Sequence, residues 1–233
     1  MALQRMIKIL TACRQIAFPD VCICCGLTVY RDHILLCGEC RDQRFEKPIQ
    51  TGEEILPASV LHQFSLWTFD KGGYLQDLLH LLKYHHLGNL GKELGEYLGN
   101  SYRCSPEYTY MKTDRSRGFI LIPVPLHRRK ERQRGYNQAR LIAEGVAAAT
   151  GWKLLPDDLL IRNRNTKSQT GLTKEERTAN VHAVFEWKER VRMNEIPVLI
   201  DDVFTTGATL YELADMVYRH CERSSILLTL ARA

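Results

Sequence analysis

Val198-Leu-Ile-Asp-Asp-Val-Phe-Thr-Thr-Gly-Ala-Thr209 is the stretch on which the reading of this chain turns. An apolar run that starts at Ile196 reaches two consecutive acids. It then crosses a short loop of hydroxylated residues and enters a segment, Thr209 to His220, with helical periodicity. In an open α/β sheet, ligands bind beyond the carboxyl ends of the strands. A helix N-terminus offers N–H groups and the positive end of a dipole, which suit a phosphate. Thr205, Thr206 and Thr209 add hydroxyl donors, while Gly207 lets the backbone approach an anion. Asp201 and Asp202 would repel a phosphate and need another role, and the vicinal hydroxyls of a ribose supply one. Together these features describe a ribose 5-phosphate.

Working outward, Ile226 to Leu230 reads as a following strand and Phe119-Ile-Leu-Ile-Pro-Val-Pro125 as a preceding one, wholly apolar as a buried parallel strand is. Asn137 to Thr150 reads as a helix stopped by Gly151, with Leu141, Ile142 and Val146 inward. Val60 to Phe69 suits a strand, Tyr74 to Tyr84 and Leu90 to Tyr102 suit helices, and 103 to 118 is polar and irregular. Strands alternating with helices predict an α/β fold: a mostly parallel sheet with right-handed crossovers and helices on both faces.

After the strand at Phe119, five cations stand against one acid between Arg128 and Arg134. Such density calls for anions. Val124, Pro125 and Arg128 are therefore the expected second phosphate lobe. Arg129, Lys130, Arg132 and Arg134, with Tyr136 nearby, are expected to track a nucleic-acid backbone and stack a base.

Five of the eight cysteines fall between Cys22 and Cys40. Cys22-x-x-Cys25 and Cys37-x-x-Cys40 have the spacing of a four-thiolate zinc knuckle. Four protein ligands leave no open position, so a structural Zn²⁺ is expected, with Gly26 and Gly38 easing the turns. Cys24 reads as a bystander, and Cys13, Cys104 and Cys221 as buried small apolar residues.

The segment from Val198 to Thr209 resembles the phosphoribosyl pyrophosphate (PRPP) signature of type I phosphoribosyltransferases. That resemblance implies the type I phosphoribosyltransferase fold, with Asp201 and Asp202 on the ribose hydroxyls and Thr205, Thr206, Gly207, Ala208 and Thr209 around the 5′-phosphate. It also implies Mg²⁺ accompanying PRPP. Purine-salvage members place a base aspartate three residues after the second acid. Thr205 stands there, which disfavours hypoxanthine or guanine salvage. The run Ile122-Pro-Val-Pro-Leu-His-Arg-Arg with Arg134-Gly-Tyr-Asn-Gln138, the triplet Leu82-Lys83-Tyr84, and Arg162, Thr166 to Leu172, Arg177 and Asn180 resemble the ComF family of late-competence proteins, closest to its ComFC type. The likeness extends over almost the whole chain, cysteines included. It implies a role in natural transformation, with single-stranded DNA and competence machinery such as the ComF-operon helicase as partners. Residues 162 to 180 have the composition of a lid, and Lys167, Gln169 and Arg177 are its expected contacts.

The 233 residues allow one α/β core plus a small module, read here as 1–52 (amphipathic N-terminal helix and zinc module) and 53–233 (phosphoribosyltransferase-like domain). The apolar share of 45% is that of an ordinary globular chain, and the net charge of +5 is mild. Arg5, Lys8 and Arg14 interrupt the N-terminal apolar residues, so neither a signal peptide nor a membrane span is read. A cytoplasmic place is expected, with the first helix as a candidate for contact with the inner face of the membrane. Two functions remain open at this stage. One is a PRPP-binding competence protein; the other is an active, Mg²⁺-dependent phosphoribosyltransferase with an unidentified acceptor.

Overall fold

The computed structural model describes residues 21–29, 35–48, 55–85, 87–111, 118–163, 184–189 and 192–233. The expected first helix and Lys167, Gln169 and Arg177 lie outside them. Five strands form one sheet: β1 (Val60–Thr68), β2 (Phe119–Pro123), β3 (Lys153–Leu154), β6 (Ile196–Phe204) and β7 (Ser225–Arg232). Their order is β1-β7-β6-β2-β3, and every pairing is parallel. A separate antiparallel pair, β4 (Leu160–Arg162) with β5 (Phe185–Trp187), flanks the segment read as a lid.

Six α-helices and one π-helical turn, Cys40–Arg44, complete the described fold: α1 (Tyr74–Tyr84), α2 (Gly88–Arg103), α3 (Pro106–Met111), α4 (Arg128–Arg134), α5 (Gln138–Thr150) and α6 (Ala208–Cys221). Val198 and Ile200 of β6 point into one apolar layer with Leu82 of α1, Leu94 of α2 and Ile142 of α5. Leu199 points into the other, with Leu210, Leu213 and Val217 of α6. The alternation is the two-residue period of an extended strand. Because both faces are covered, β6 and β7 read as nearly unbroken apolar runs.

Helix α2 carries four glycines, which propensity alone would penalise. Packing overrides it. A Cβ on Gly95 would lie 2.0 Å from the Ile142 carbonyl oxygen, and one on Gly145 would lie 2.0 Å from that of Lys92. Helices α2 and α5 thus touch backbone to backbone.

The expected elements from β1 through β7 are found, with ends shifted by a few residues. Five were not read: helices α3 and α4 and strands β3, β4 and β5. Helix α3 sits in the stretch taken as irregular, and its six residues bury none of their number, so no apolar period marked it. Strands β3, β4 and β5 are two or three residues each, too short to show a pattern. Cys104 corrects an expectation: it is exposed, because it is the residue that ends α2, past the helix's apolar face. Cys221 is only partly buried. Among the described residues, no helix is long and apolar enough to cross a membrane.

Candidate functional site at the ends of β2 and β6

Strand β2 leads through α5 to β3 on one side of the sheet, whereas β6 leads through α6 to its other neighbour, β7. The direction of winding therefore reverses between β2 and β6, and their carboxyl ends open a crevice where ligands bind in such sheets. Pro123 pairs with Ile200, and the Val124 N–H donates to the Ile200 carbonyl at 2.9 Å. This sets buried Val124 and Pro125 beside the two acids. Asn137, read from the sequence as a helix start and as part of a family motif, holds that loop. Its Oδ1 accepts the Ala139 N–H at 3.1 Å, and its Nδ2 donates to the Val124 carbonyl at 3.0 Å.

Strand β6 continues through both acids, so Asp201 and Asp202 point toward opposite faces. Asp202 is buried, with 6% of its surface exposed. Its Oδ1 accepts the Val203 N–H at 2.9 Å, and its Oδ2 meets Lys83 Nζ at 2.8 Å. Asp201 accepts the Asp202 N–H at 2.8 Å. Burial, and then the charge of Asp202, push the Asp201 carboxyl well above the usual carboxylate range. Arg162 of β4 feels both Asp201 and Glu212, while burial lowers its own value.

Gly207 ends the loop with φ +74°, and a Cβ there would strike the rings of Phe204 and Tyr211, each at 2.6 Å. Only glycine fits both the turn and the space. Thr205, Thr206 and Ala208 are exposed and Thr209 is half-buried, at the N-terminus of α6. Beside Pro125, Arg128 lines a cleft of about 220 Å³ with Asn137, Arg162 and Lys188 and with the acids Glu131, Asp157 and Asp158.

Arg128, Arg129, Lys130 and Arg132 are exposed on α4. Arg134 is not a free cation like them. It is half-buried, donates to Gln138 Oε1 at 2.8 Å and lies 5.2 Å over the Tyr84 ring. The Tyr136 hydroxyl donates to the Leu82 carbonyl, which ties that ring to the end of α1.

The four-cysteine cluster

The Sγ atoms of Cys22, Cys25, Cys37 and Cys40 all lie within 4.8 Å of one another, and those of Cys25 and Cys37 are 3.8 Å apart. Tetrahedral Zn–S bonds of about 2.3 Å would set sulfur atoms roughly 3.8 Å apart, so the donor set fits such an ion. The turns are local. The Gly26 N–H bonds to the Cys22 carbonyl at 2.8 Å with φ +73°, as expected, whereas Gly38 opens the helical turn that leads to Cys40 and adopts no such conformation. Burial raises the Cys22 thiol, but N–H groups of Cys37, Cys25 and Cys24 outweigh it and bring it down to about 6. Cys40 is pushed up by burial and then by the sulfurs around it. Four thiolates this close need a cation to ionise together.

The cluster is anchored from outside. Glu93 of α2 accepts the Leu35 N–H at 2.7 Å and the Leu36 N–H at 3.1 Å. Phe45 meets Trp67 edge to face at 4.9 Å, and Cys22, Leu36 and Cys40 join the apolar layer of α1, α2 and α5.

No family model matches the chain. It is 28% identical over 214 residues to Competence protein F of Haemophilus influenzae, covering 88% of this chain and 81% of that one. It is 27% identical over 217 residues to the DNA utilization protein YhgH of Escherichia coli O157:H7, covering 91% and 85%. Competence protein ComFC of Bacillus subtilis is 29% identical over 127 residues, 54% of this chain and 50% of that one. The first two of these relatives, named for competence and for DNA utilization, are similar to the chain over most of its length.

Two residues missed by sequence reasoning matter most. Lys83 was read only as part of a family triplet, and Glu93 was not read at all. A lone lysine and a lone glutamate on amphipathic helices carry no local signal. Only the packing of α1 and α2 onto the sheet reveals what they face.

Proposed function

We propose that this protein binds PRPP at the carboxyl ends of β2 and β6 and serves in handling single-stranded DNA during natural transformation. The observation that carries the first half is the reversal of winding between those strands. In this reading two acids, a hydroxylated loop, a helix N-terminus and the Arg128 side chain border the crevice that such a reversal opens. A five-stranded parallel sheet with this loop after a central strand agrees with a type I phosphoribosyltransferase fold. In this reading Asp201 and Asp202 accept the ribose hydroxyls, and Thr205 to Thr209 with the start of α6 hold the 5′-phosphate. Val124, Pro125 and Arg128 border the pyrophosphate, with Mg²⁺ as its counter-ion. The thiolate set selects Zn²⁺ as the structural metal over cations that prefer oxygen.

Support for the second half comes from the names of the relatives, competence and DNA utilization. The exposed cations of α4 beside the crevice agree with it. Calorimetric titration with Mg²⁺-PRPP, alone and after saturation with a single-stranded oligonucleotide, tests both halves. We expect binding of each ligand. We also expect the triple variant Arg129→Ala/Lys130→Ala/Arg132→Ala to lower the slope of log affinity for DNA against log salt by about 2, from roughly 0.7 per phosphate contact. Absence of PRPP binding, or an unchanged slope, refutes the corresponding half.

A further inference from the structure

We propose that Lys83 is a positioning residue of this ribose-phosphate site, holding Asp202 as an anion that can receive a sugar hydroxyl; the inference rests on the reading of the crevice given above. Lys83 stands in the last turn of α1 and reaches across to β6, where its ammonium meets Asp202 Oδ2 at 2.8 Å. The pairing is selective. Asp202 is nearly sealed from solvent, its Oδ1 is taken by the Val203 N–H, and Asp201 is the adjacent residue on the strand. A buried carboxylate deprived of its counter-charge, with a second acid beside it, lowers its cost by taking up a proton. As a neutral acid it would offer a hydroxyl only a neutral hydrogen bond, about half as strong as the charge-assisted one.

The ligand's own charge makes the cation more necessary. PRPP brings a phosphate and a pyrophosphate to a crevice that already holds two carboxylates, and like charges a few ångströms apart repel. Lys83 offsets one of those carboxylates without occupying the phosphate loop. About a quarter of its side chain, 26%, is exposed, so the ammonium lies at the edge of the crevice, not in the core. A carboxylate oxygen has two lone-pair positions. Oδ2 is buried against the ammonium, and Oδ1 can therefore keep the Val203 N–H and still accept a hydroxyl.

The test compares Lys83→Gln, Lys83→Arg, Asp202→Asn and the double variant Lys83→Gln/Asp202→Asn, each titrated with Mg²⁺-PRPP and separately with inorganic phosphate. Lys83→Gln should weaken PRPP binding by about tenfold or more, the scale of a charge-assisted hydrogen bond, while phosphate affinity stays within about twofold. Lys83→Arg should restore most of the PRPP affinity. In the double variant the lysine change should add little, because both changes act through one carboxylate. If Asp202→Asn loses PRPP but Lys83→Gln binds it like the unaltered protein, the inference falls and the site reading stands. If Asp202→Asn keeps full PRPP affinity, the site reading falls and takes the inference with it. Equal loss of both ligands in Lys83→Gln, or loss not relieved by arginine, makes Lys83 a brace of the fold and also overturns the inference.

Discussion

Cys22, Cys25, Cys37 and Cys40 converge on one point from a single short stretch of chain, whereas Asp202 meets its cation from α1, far away in sequence. The two regions share an apolar layer, and both gather charged donors around a ligand-sized space. They differ in what holds the gathering together. In the cysteine cluster the turns are closed by bonds between near neighbours, such as Gly26 to Cys22 and Arg41 to Cys37. Outside help comes from Glu93, from the Phe45–Trp67 contact and from the Tyr97 hydroxyl, which donates to Asp42 Oδ1 at 3.0 Å. At the strand ends, each wall comes from a different element: β6, the loop after β2, the N-terminus of α6, and α1. A site of the first kind, if it holds the proposed metal, should depend on that ion, and one of the second kind depends on the sheet.

That contrast makes the metal the first thing to remove. Cys37→Ser should abolish stoichiometric zinc and unfold the cluster. Structural zinc in such peptides contributes about 10–16 kcal/mol of binding free energy, most of which appears as folding. Metal analysis and thermal melting check it, and a variant that retains one zinc per chain would show that three thiolates suffice. PRPP binding in a metal-depleted but folded chain would sharpen the contrast further, by showing that the sheet site stands without the cluster.

The strand-end site should behave oppositely, losing its ligand without losing its fold. Asp201→Ala/Asp202→Ala should abolish detectable PRPP binding. A charge-assisted hydrogen bond at Asp202 contributes about 1.5–3 kcal/mol and a neutral one at Asp201 about 0.5–1.5, so the pair accounts for roughly thirtyfold or more in affinity. Phosphate affinity should be nearly unchanged, because Thr205, Thr206, Thr209 and the start of α6 are untouched. Calorimetry with both ligands measures the difference. A folded double variant that still binds PRPP at full strength would break the comparison, since the acids would then have no ligand to hold.

The smallest expected effect concerns what the sheet tolerates for the sake of that site. Burial and the neighbouring Asp202 raise the folded-state value of Asp201, so this group favours the fold when protonated. Its contribution is complete below the ordinary carboxylate range and is lost as pH rises through the raised folded value. Asp201→Asn stays neutral at every pH. The variant and the unaltered protein should melt together near pH 4, and the variant should melt higher at pH 8. The gain should be on the order of 1 kcal/mol, or about 2–4 °C for a chain of this size. Comparing the two proteins at each pH cancels any loss of metal in acid. A variant that melts lower at pH 8 would mean that the Asp201 carboxylate, and with it Arg162, stabilises the fold.

The amino-acid sequence by itself determined the elements with a strong period, among them Tyr74–Tyr84, Gln138–Thr150 and the strands at Phe119, Ile196 and Ser225. It also determined both motifs whose donors are close in sequence. Apolar periodicity and fixed spacings are properties of neighbouring residues, so they survive without knowledge of the fold. Only the tertiary structure decided the order β1-β7-β6-β2-β3, and with it the crevice between β2 and β6. The same holds for the backbone contact of Gly95 and Gly145, the seating of Arg134 over the Tyr84 ring, and the pairing of Lys83 with Asp202. Each of these joins residues remote in sequence, and what brings them together is the burial of whole helix faces on the sheet. That energy is shared among many side chains and leaves no mark at the positions it places in contact.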